Sequence, residues 1–331
     1  MRILVTGAAG FIGFHVVKKL LNEKYKVIGI DNFNKYYDIK LKKSRYLQLK
    51  KLKNKNLGFF KIDIQNNKKI NKLFKKYKFD YVINLAAQAG VRYSISNPES
   101  YLNSNIIGFY NILRYSVKYH VKHLVVASSS SVYGEQLNIA KEEKSDTDKP
   151  LQFYAATKKS NELMAHSYSN IYKIPITILR FFTVYGPWGR PDMALFKFTR
   201  AMMKNEKIYL YNKGHHYRDF TYVDDIVDGV TLALKRIPKI EKNISTPLAI
   251  FNLGNGKTVY LKNFLLELQK QLKIKAKIIY LKKQKGDVFK TLACIKKAKK
   301  ELGYNPKINY KKGITQFLSW YKHYSKNEIL N

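Results

Sequence analysis

Tyr154 and Lys158 have the residue types and the spacing of a catalytic acid–base pair. A helix over this stretch places the phenol and the ammonium one turn apart on the same face. A free phenol titrates near pH ~10, so it is a poor base at neutral pH unless a positive charge favours the phenolate. The pair predicts proton abstraction by Tyr154, although 26 tyrosines and 53 lysines make the spacing alone weak evidence.

A run of four serines, Ser128 to Ser131, follows an apolar stretch that predicts a strand at His123–Ala127. In a doubly wound sheet, ligands bind beyond the carboxyl ends of the strands. We therefore expect Ser129 and its neighbours to lie beside the reacting group.

A glycine-rich turn runs from Thr6 to Gly13, directly after the first predicted strand and at the start of the first predicted helix. Its glycines permit close backbone approach, so a pyrophosphate can lie on the helix N-terminal amides. Asp31 ends the second strand, where a carboxylate accepts the ribose hydroxyls of NAD and repels the 2′-phosphate of NADP. Asp63, after the third strand, is expected either near the adenine or as an ordinary loop residue.

The elements that must position these residues alternate between strands and helices. Strands are predicted at Ile3–Thr6, Lys26–Ile30, Phe59–Ile62, Tyr81–Leu85, His123–Ala127 and Pro175–Arg180, and helices at about 11–22, 67–77, 99–119 and 154–172. This alternation predicts an α/β fold with a doubly wound parallel sheet, the Rossmann arrangement. Residues 40–56 are predicted to be helical, lysine-rich and solvated.

We expect two domains. Residues 1–180 are predicted to form the dinucleotide-binding domain, and 181–331 a second, smaller α/β domain for the substrate. A segment at about 219–236 is expected to return to the first domain.

The charge of the 331-residue chain is +39, from 62 basic and 23 acidic residues. Such a charge suggests nucleic acid or an anionic membrane. Only nine of the basic residues are arginines, however, and the lysines are spread along the whole chain. A surface that recognises phosphates or bases favours the guanidinium fork. We therefore expect a solvated lysine coat and no specific nucleic-acid partner.

Other classes of protein are disfavoured by composition. A single cysteine, Cys294, excludes an intramolecular disulfide and a cysteine-built metal site, and the seven histidines show no metal-ligand spacing. No apolar run of about 18 residues exists to span a membrane. A buried strand at residues 3–5 leaves no room for a signal peptide, so a cytoplasmic protein is expected.

With these features in order along the chain, the sequence resembles the extended short-chain dehydrogenase/reductases, and among them the UDP-glucuronate 4-epimerases. The similarity covers nearly the whole chain. Its most specific segments are Leu85–Ser94, Tyr154–His166 and Arg180–Met193, which reads Arg-Phe-Phe-Thr-Val-Tyr-Gly-Pro-Trp-Gly-Arg-Pro-Asp-Met.

The resemblance implies roles for three catalytic residues. Tyr154 is the expected base, Lys158 holds it and the nicotinamide ribose, and Ser129 bonds the sugar 4-hydroxyl. The expected NAD contacts are Gly7, Gly10, Phe11, Ile12, Gly13, Asp31, Asn32, Asp63, Ile64, Leu85, Ala86, Ala87, Tyr154 and Lys158.

The resemblance also implies a substrate site without a metal. Ser130, Ser131 and Thr183 are expected to receive the sugar carboxylate, Arg190 and Arg218 the diphosphate, and Asp287 the uridine ribose. The expected substrate contacts are Arg92, Ser129, Ser130, Ser131, Tyr154, Thr183, Arg190, Arg218 and Asp287. Arginine at these positions is notable in a chain that otherwise uses lysine, because only the guanidinium binds a diphosphate in bidentate fashion. Arg180, before two phenylalanines, is expected to be a structural ion-pair partner.

The expected reaction interconverts UDP-glucuronate and UDP-galacturonate through a 4-keto intermediate. The alternatives are a 4-epimerase of a neutral UDP-hexose (UDP-glucose or UDP-N-acetylglucosamine), a UDP-glucuronate decarboxylase or nucleotide-sugar dehydratase, and a non-catalytic basic RNA-binding protein. Decarboxylating and dehydrating relatives place a carboxylate in the segment Ser128–Gly134, which here carries four serines. The resemblance further implies a homodimer through the helices near 99–119 and 154–172.

Overall fold

The computed structural model describes residues 1–135, 140–240, 245–284 and 286–329. Its strands, numbered in chain order, are β1 Arg2–Thr6, β2 Lys26–Asp31, β3 Leu57–Lys61, β4 Tyr81–Asn84, β5 His123–Ser129, β6 Ile176–Phe181, β7 Thr183–Tyr185, β8 Lys207–Tyr211, β9 Tyr217–Arg218, β10 Phe220–Tyr222, β11 Leu248–Leu253, β12 Val259–Tyr260 and β13 Lys277–Leu281. Seven of them form a parallel sheet in the order β11-β6-β5-β4-β1-β2-β3. The predicted doubly wound parallel sheet is therefore confirmed.

Helices connect the strands of this sheet and cover both of its faces. The α-helices of the described residues are α1 Phe11–Asn22, α2 Ile39–Lys51, α3 Asn67–Tyr77, α4 Tyr93–Ser96, α5 Glu99–Tyr101, α6 Phe109–Lys118, α7 Phe153–Tyr172, α8 Ala194–Met203, α9 Val223–Lys235, α10 Leu261–Leu272, α11 Lys296–Leu302 and α12 Tyr310–Ile329. The predicted helix at 99–119 is α5, a π-helix over Leu102–Gly108, and α6. Successive residues of β1 alternate between two cores, with Ile3 and Val5 on one face and Leu4 on the other.

Three two-stranded sheets lie outside the main sheet: β7 pairs with β10, β8 with β13, and β9 with β12. The segment 219–236 forms β10 and α9, and α9 packs against α1, β5 and β6.

Two expectations need correction. The boundary at residue 180 is wrong for one segment, because β11 pairs with β6 along its whole length and completes the main sheet. Residues 40–56 are also not simply solvated, because α2 buries Leu41, Lys42, Arg45 and Leu49. Arg45 is fully buried, and its guanidinium donates to the carbonyls of Ala9 and Trp188 at 3.0 Å and 2.6 Å. No helix among the described residues is long and apolar enough to cross a membrane.

Candidate active site

A cavity of about 910 Å³ opens at the carboxyl ends of β1, β2, β4 and β5. Parallel sheets place ligands at this edge. All residues expected in catalysis, NAD binding and substrate binding line this cavity, from Gly7 in the first turn to Asp287 near the far end of the chain. Gly7 and Asp287, which are far apart in the sequence, therefore line the same cavity.

The glycine turn has no room for side chains. Gly7 has a φ of +68°, and its carbonyl accepts from the Gly10 amide at 2.8 Å. A Cβ on Gly13 would lie 2.1 Å from the Gly7 carbonyl oxygen, and one on Gly7 would lie 2.9 Å from the Ala86 nitrogen. The turn and the start of α1 can thus approach a dinucleotide closely.

Asp31 is buried at the end of β2, and it also holds this turn. Its carboxylate accepts from the Ala9 amide at 3.1 Å and from the Phe33 amide at 2.8 Å. Burial raises the pKa of Asp31, while the positive charge of Lys42 lowers it. Two of the carboxylate's lone pairs remain for a ribose, since an ionised carboxylate has about four acceptor sites. Its neighbour Asn32 donates to Asp63 at 2.8 Å.

Tyr154 and Lys158 lie on one face of α7, as their spacing predicts. Burial raises the pKa of the Tyr154 phenol, and a hydrogen bond with Ser129 and the charge of Arg190 lower it. The Lys158 ammonium donates to the Ala127 carbonyl at 2.9 Å, and burial lowers its pKa to about 8. The ammonium of Lys158 bonds the end of β5, and Ser129 and Arg190 are the groups that lower the pKa of the phenol here. The effect of Lys158 on the phenol stays a prediction.

The serine run divides between the cavity and the protein interior. The Ser129 hydroxyl accepts from the Ser131 hydroxyl at 2.9 Å and from the Ser131 amide at 3.2 Å. Ser130 begins a short 3-10 helix, Ser130–Tyr133, that turns these side chains toward the cavity. Ser128 bonds Glu162 in the interior at 2.5 Å. Thr183 reaches the same cavity from β7.

The three cavity arginines predicted to bind substrate have partners within the protein. Arg190 forms a two-point ion pair with Asp192, at 3.0 Å and 2.5 Å, and Asp192 also accepts from the Tyr36 hydroxyl at 3.0 Å. Arg92 pairs with Asp287 at 3.0 Å. These ion pairs hold the guanidinium groups of Arg190 and Arg92 in place within the cavity.

Arg218 and Arg180 differ in what they bind. Arg218 donates to the carbonyls of Tyr217 at 2.9 Å and Phe289 at 3.0 Å. Arg180 is buried and pairs with Glu162 through two bonds, at 2.9 Å and 2.7 Å. The prediction that Arg180 is a structural ion-pair partner is confirmed.

Among the lining residues that sequence reasoning missed are Tyr36, Lys42 and Asp192. Lys42 lies in a lysine-rich helix whose composition indicated a solvated surface. Asp192 lies within the segment Arg180–Met193, and its spacing of two residues from Arg190 was the available signal. Among the described residues, no group of three or more His, Cys, Asp or Glu side chains could hold a metal ion.

Comparisons with known proteins agree with this geometry. Residues 3–254 match the model of the NAD dependent epimerase/dehydratase family. The chain is 45% identical to UDP-glucuronate 4-epimerase 4 of Arabidopsis thaliana over 334 residues, covering 97% of this chain and 75% of that protein.

Solved structures show the same fold. A UDP-glucuronic acid 4-epimerase of Bacillus cereus, in complex with UDP-glucuronic acid and NAD, superimposes with a TM-score of 0.90 at 34% identity, covering 98% of this chain and 100% of that one. A UDP-glucose 4-epimerase of Thermotoga maritima with UDP-glucose gives 0.86 at 30% identity, covering 98% and 99%. The chain therefore belongs to the NAD dependent epimerase/dehydratase family, in the branch of extended short-chain dehydrogenase/reductases that contains the UDP-glucuronate 4-epimerases.

Proposed function

We propose that this protein is an NAD-dependent 4-epimerase that interconverts UDP-glucuronate and UDP-galacturonate. The observation that carries the proposal is that one cavity is lined by a glycine-rich turn, by Tyr154 with Ser129 beside it, and by a cluster of side-chain hydroxyls. Relatives that share 40–45% of their residues with this chain are named UDP-glucuronate 4-epimerases. UDP-glucose 4-epimerases share the fold at lower identity.

The residues of the first turn fit NAD. Glycine at positions 7 and 13 lets the turn pack tightly against its own backbone and against Ala86, which leaves the amides at the start of α1 open to a pyrophosphate, and Asp31 keeps acceptor capacity for ribose hydroxyls. Bound NAD supplies a hydride acceptor that is regenerated in each cycle, so epimerisation needs no added reductant.

Tyr154 removes the proton of the sugar 4-hydroxyl. Ser129 bonds both the phenol and, in this proposal, the same sugar hydroxyl, so the proton has a short path to the base. Lys158, bonded to Ala127 in the buried layer, is placed to hold a ribose hydroxyl and a positive charge near the phenolate.

Ser130, Ser131 and Thr183 receive the carboxylate of the sugar. The 4-keto product of this sugar is a β-keto acid, which loses CO₂ when its carboxylate is desolvated or turned out of the carbonyl plane. Hydroxyl groups hold a carboxylate through hydrogen bonds and so oppose this loss. They also allow the ring to turn over between the two hydride transfers.

Thr183→Val tests the carboxylate assignment, because it removes the hydroxyl while keeping the shape. We expect kcat/KM for UDP-glucuronate to fall at least about fivefold, which corresponds to ~1 kcal/mol, the scale of one lost hydrogen bond. UDP-glucose, if it is a substrate, should lose less. Thr177→Val is the control variant, because that threonine is buried on β6 against His123 and outside the cavity.

An equal loss on both sugars, or a wild-type preference for UDP-glucose, would move the assignment to the neutral-sugar epimerase.

We also propose that the protein is a homodimer built on the π-helix, α6 and α7. Large apolar side chains are exposed along these helices, with fractional exposures of 50% for Ile107, 59% for Leu163 and 64% for Ile171. Such a patch favours association with a second copy. Sedimentation of the purified protein tests this directly.

A further inference from the structure

The end of β5 is held against α7 by three consecutive contacts. Ala127 accepts from Lys158, Ser128 donates to Glu162, and Ser129 lies beside Tyr154 and lowers the pKa of its phenol. The three α7 residues are spaced four apart, so they form one stripe along the helix. Each of these three residues of β5 thus has its own partner on α7. Of the three partners, Glu162 is the residue that takes no part in the proposed chemistry.

Glu162 is a buried carboxylate, with a side chain 5% exposed. Both of its oxygens accept from Arg180, at 2.9 Å and 2.7 Å, and one also accepts from Ser128 at 2.5 Å. Arg180 lies opposite Ser128 in the pairing of β5 with β6. The carboxylate therefore joins three elements beneath the floor of the cavity.

Resting on the epimerase function proposed above, we propose that Glu162 is a positioning residue for catalysis. It fixes Ser128, and through the backbone Ser129, against the helix that carries Tyr154. It also keeps a negative charge one helical turn from the Lys158 ammonium.

The charged groups around this stripe come from several elements. Arg180 faces Glu162 from β6, and its remaining donor groups bond the Tyr133 hydroxyl at 3.0 Å and the Glu143 carbonyl at 2.9 Å. Around Tyr154 the groups are Arg190, from the loop after β7, and the hydroxyl of Tyr101.

Lys158 responds to this surrounding charge. Burial lowers its pKa to about 8, and the charge of Glu162 raises it. Loss of the carboxylate charge therefore lowers this pKa further, and the unpaired Arg180 adds to the effect. Loss of Arg180 alone leaves an uncompensated carboxylate, which raises the same pKa.

Two single variants and their combination test the proposal through the pH profile of kcat/KM for UDP-glucuronate. We assign the alkaline limb of this profile to loss of the Lys158 proton. Glu162→Gln should move this limb about one pH unit lower, and Arg180→Met should move it higher. The double variant, which removes both charges, should return the limb toward the wild-type position. It also guards against a folding failure of either single variant, because removing both partners of a buried pair is often tolerated.

Glu23→Gln is the matched control, because Glu23 pairs with Lys235 at 2.7 Å far from the cavity. We expect its profile to equal that of the wild type. If every folded variant keeps the wild-type profile and differs only in stability, Glu162 is structural and the proposal is overturned. If the wild type itself does not epimerise UDP-glucuronate, the proposed function fails first, and the two failures are distinguishable.

Discussion

The surroundings of the Tyr154 phenol include groups that its spacing from Lys158 does not predict. Burial works against the phenolate, and Ser129 and Arg190 are the groups that favour it. Lys158 contributes by position, bonded to the end of β5. The surroundings of the base therefore come from three separate parts of the chain: the end of β5, helix α7 and the loop after β7.

Tyr154→Phe keeps the aromatic ring and removes the proton acceptor. We expect kcat to fall by about 10²–10⁴-fold or more, the range of general base catalysis, with binding of the UDP-sugar retained. Steady-state kinetics and calorimetric binding check both parts. Tyr172→Phe, on the exposed end of the same helix, should behave as the wild type. Near-normal turnover in Tyr154→Phe would remove the proposed base.

Individual site residues were predictable where a motif fixed their context. The glycine turn, Asp31, Ser129 and the Tyr154–Lys158 pair were found because strand, turn and helix surround them in a fixed order. Their roles in binding remain predictions. Tyr36 and Glu162 were not found, because their partners Asp192 and Arg180 become neighbours only in the folded chain.

At the scale of elements, β1 to β6 were predictable to within a few residues because each strand is a short apolar run. Strand β11 was missed, since nothing local in Leu248–Leu253 shows that it pairs with β6. Helix α2 was taken for a solvated surface because lysines are frequent along it. Tertiary contacts of Arg45 override that composition.

Gly13→Ala tests the turn between β1 and α1. Its Cβ would meet the Gly7 carbonyl oxygen at 2.1 Å, so the backbone must move. Overpacking of this kind costs about 1–3 kcal/mol, and we expect NAD affinity to fall roughly tenfold or more. Titration of NAD followed by fluorescence measures this.

Gly303→Ala is the control for that variant. It also has a positive φ, +72°, but a Cβ there meets nothing within 4 Å. We expect a loss of about 1 kcal/mol in the free energy of unfolding and unchanged NAD affinity. Equal NAD affinity in both variants would contradict the assignment of the turn.

For the whole molecule, the charge of +39 is carried almost entirely at the surface. Among the described residues, three lysines are buried, namely Lys42, Lys141 and Lys158. All three of these lysines line the cavity. The other lysines of the described residues support the prediction of a solvated lysine coat, and the proposed mechanism does not use them.

Stability should fall in acid because of a buried histidine. His123 is fully buried between the Leu234 carbonyl and Thr177, and burial lowers its pKa to about 4 from 6.5. The unfolded chain binds this proton first, so stability is lost as the pH falls from 6.5 toward 4, by up to about 3 kcal/mol.

His123→Asn should reduce the slope of unfolding free energy against pH in this window, whatever its effect on stability at neutral pH. Denaturant unfolding at several pH values measures the slope. His120→Asn, at an exposed position with a φ that asparagine tolerates, should leave the slope unchanged. Identical slopes in the wild type and His123→Asn would show that another group controls acid stability.

In the proposed function, this chain inverts C4 of a UDP-hexuronic acid, and NAD serves as a hydride acceptor that is regenerated in each cycle. The most direct measurement is the product formed from UDP-glucuronate with NAD present and no added reductant, resolved by chromatography or NMR. We expect UDP-galacturonate, with no net formation of NADH and with slower conversion of UDP-glucose. A UDP-pentose with release of CO₂, or faster conversion of UDP-glucose, would contradict it.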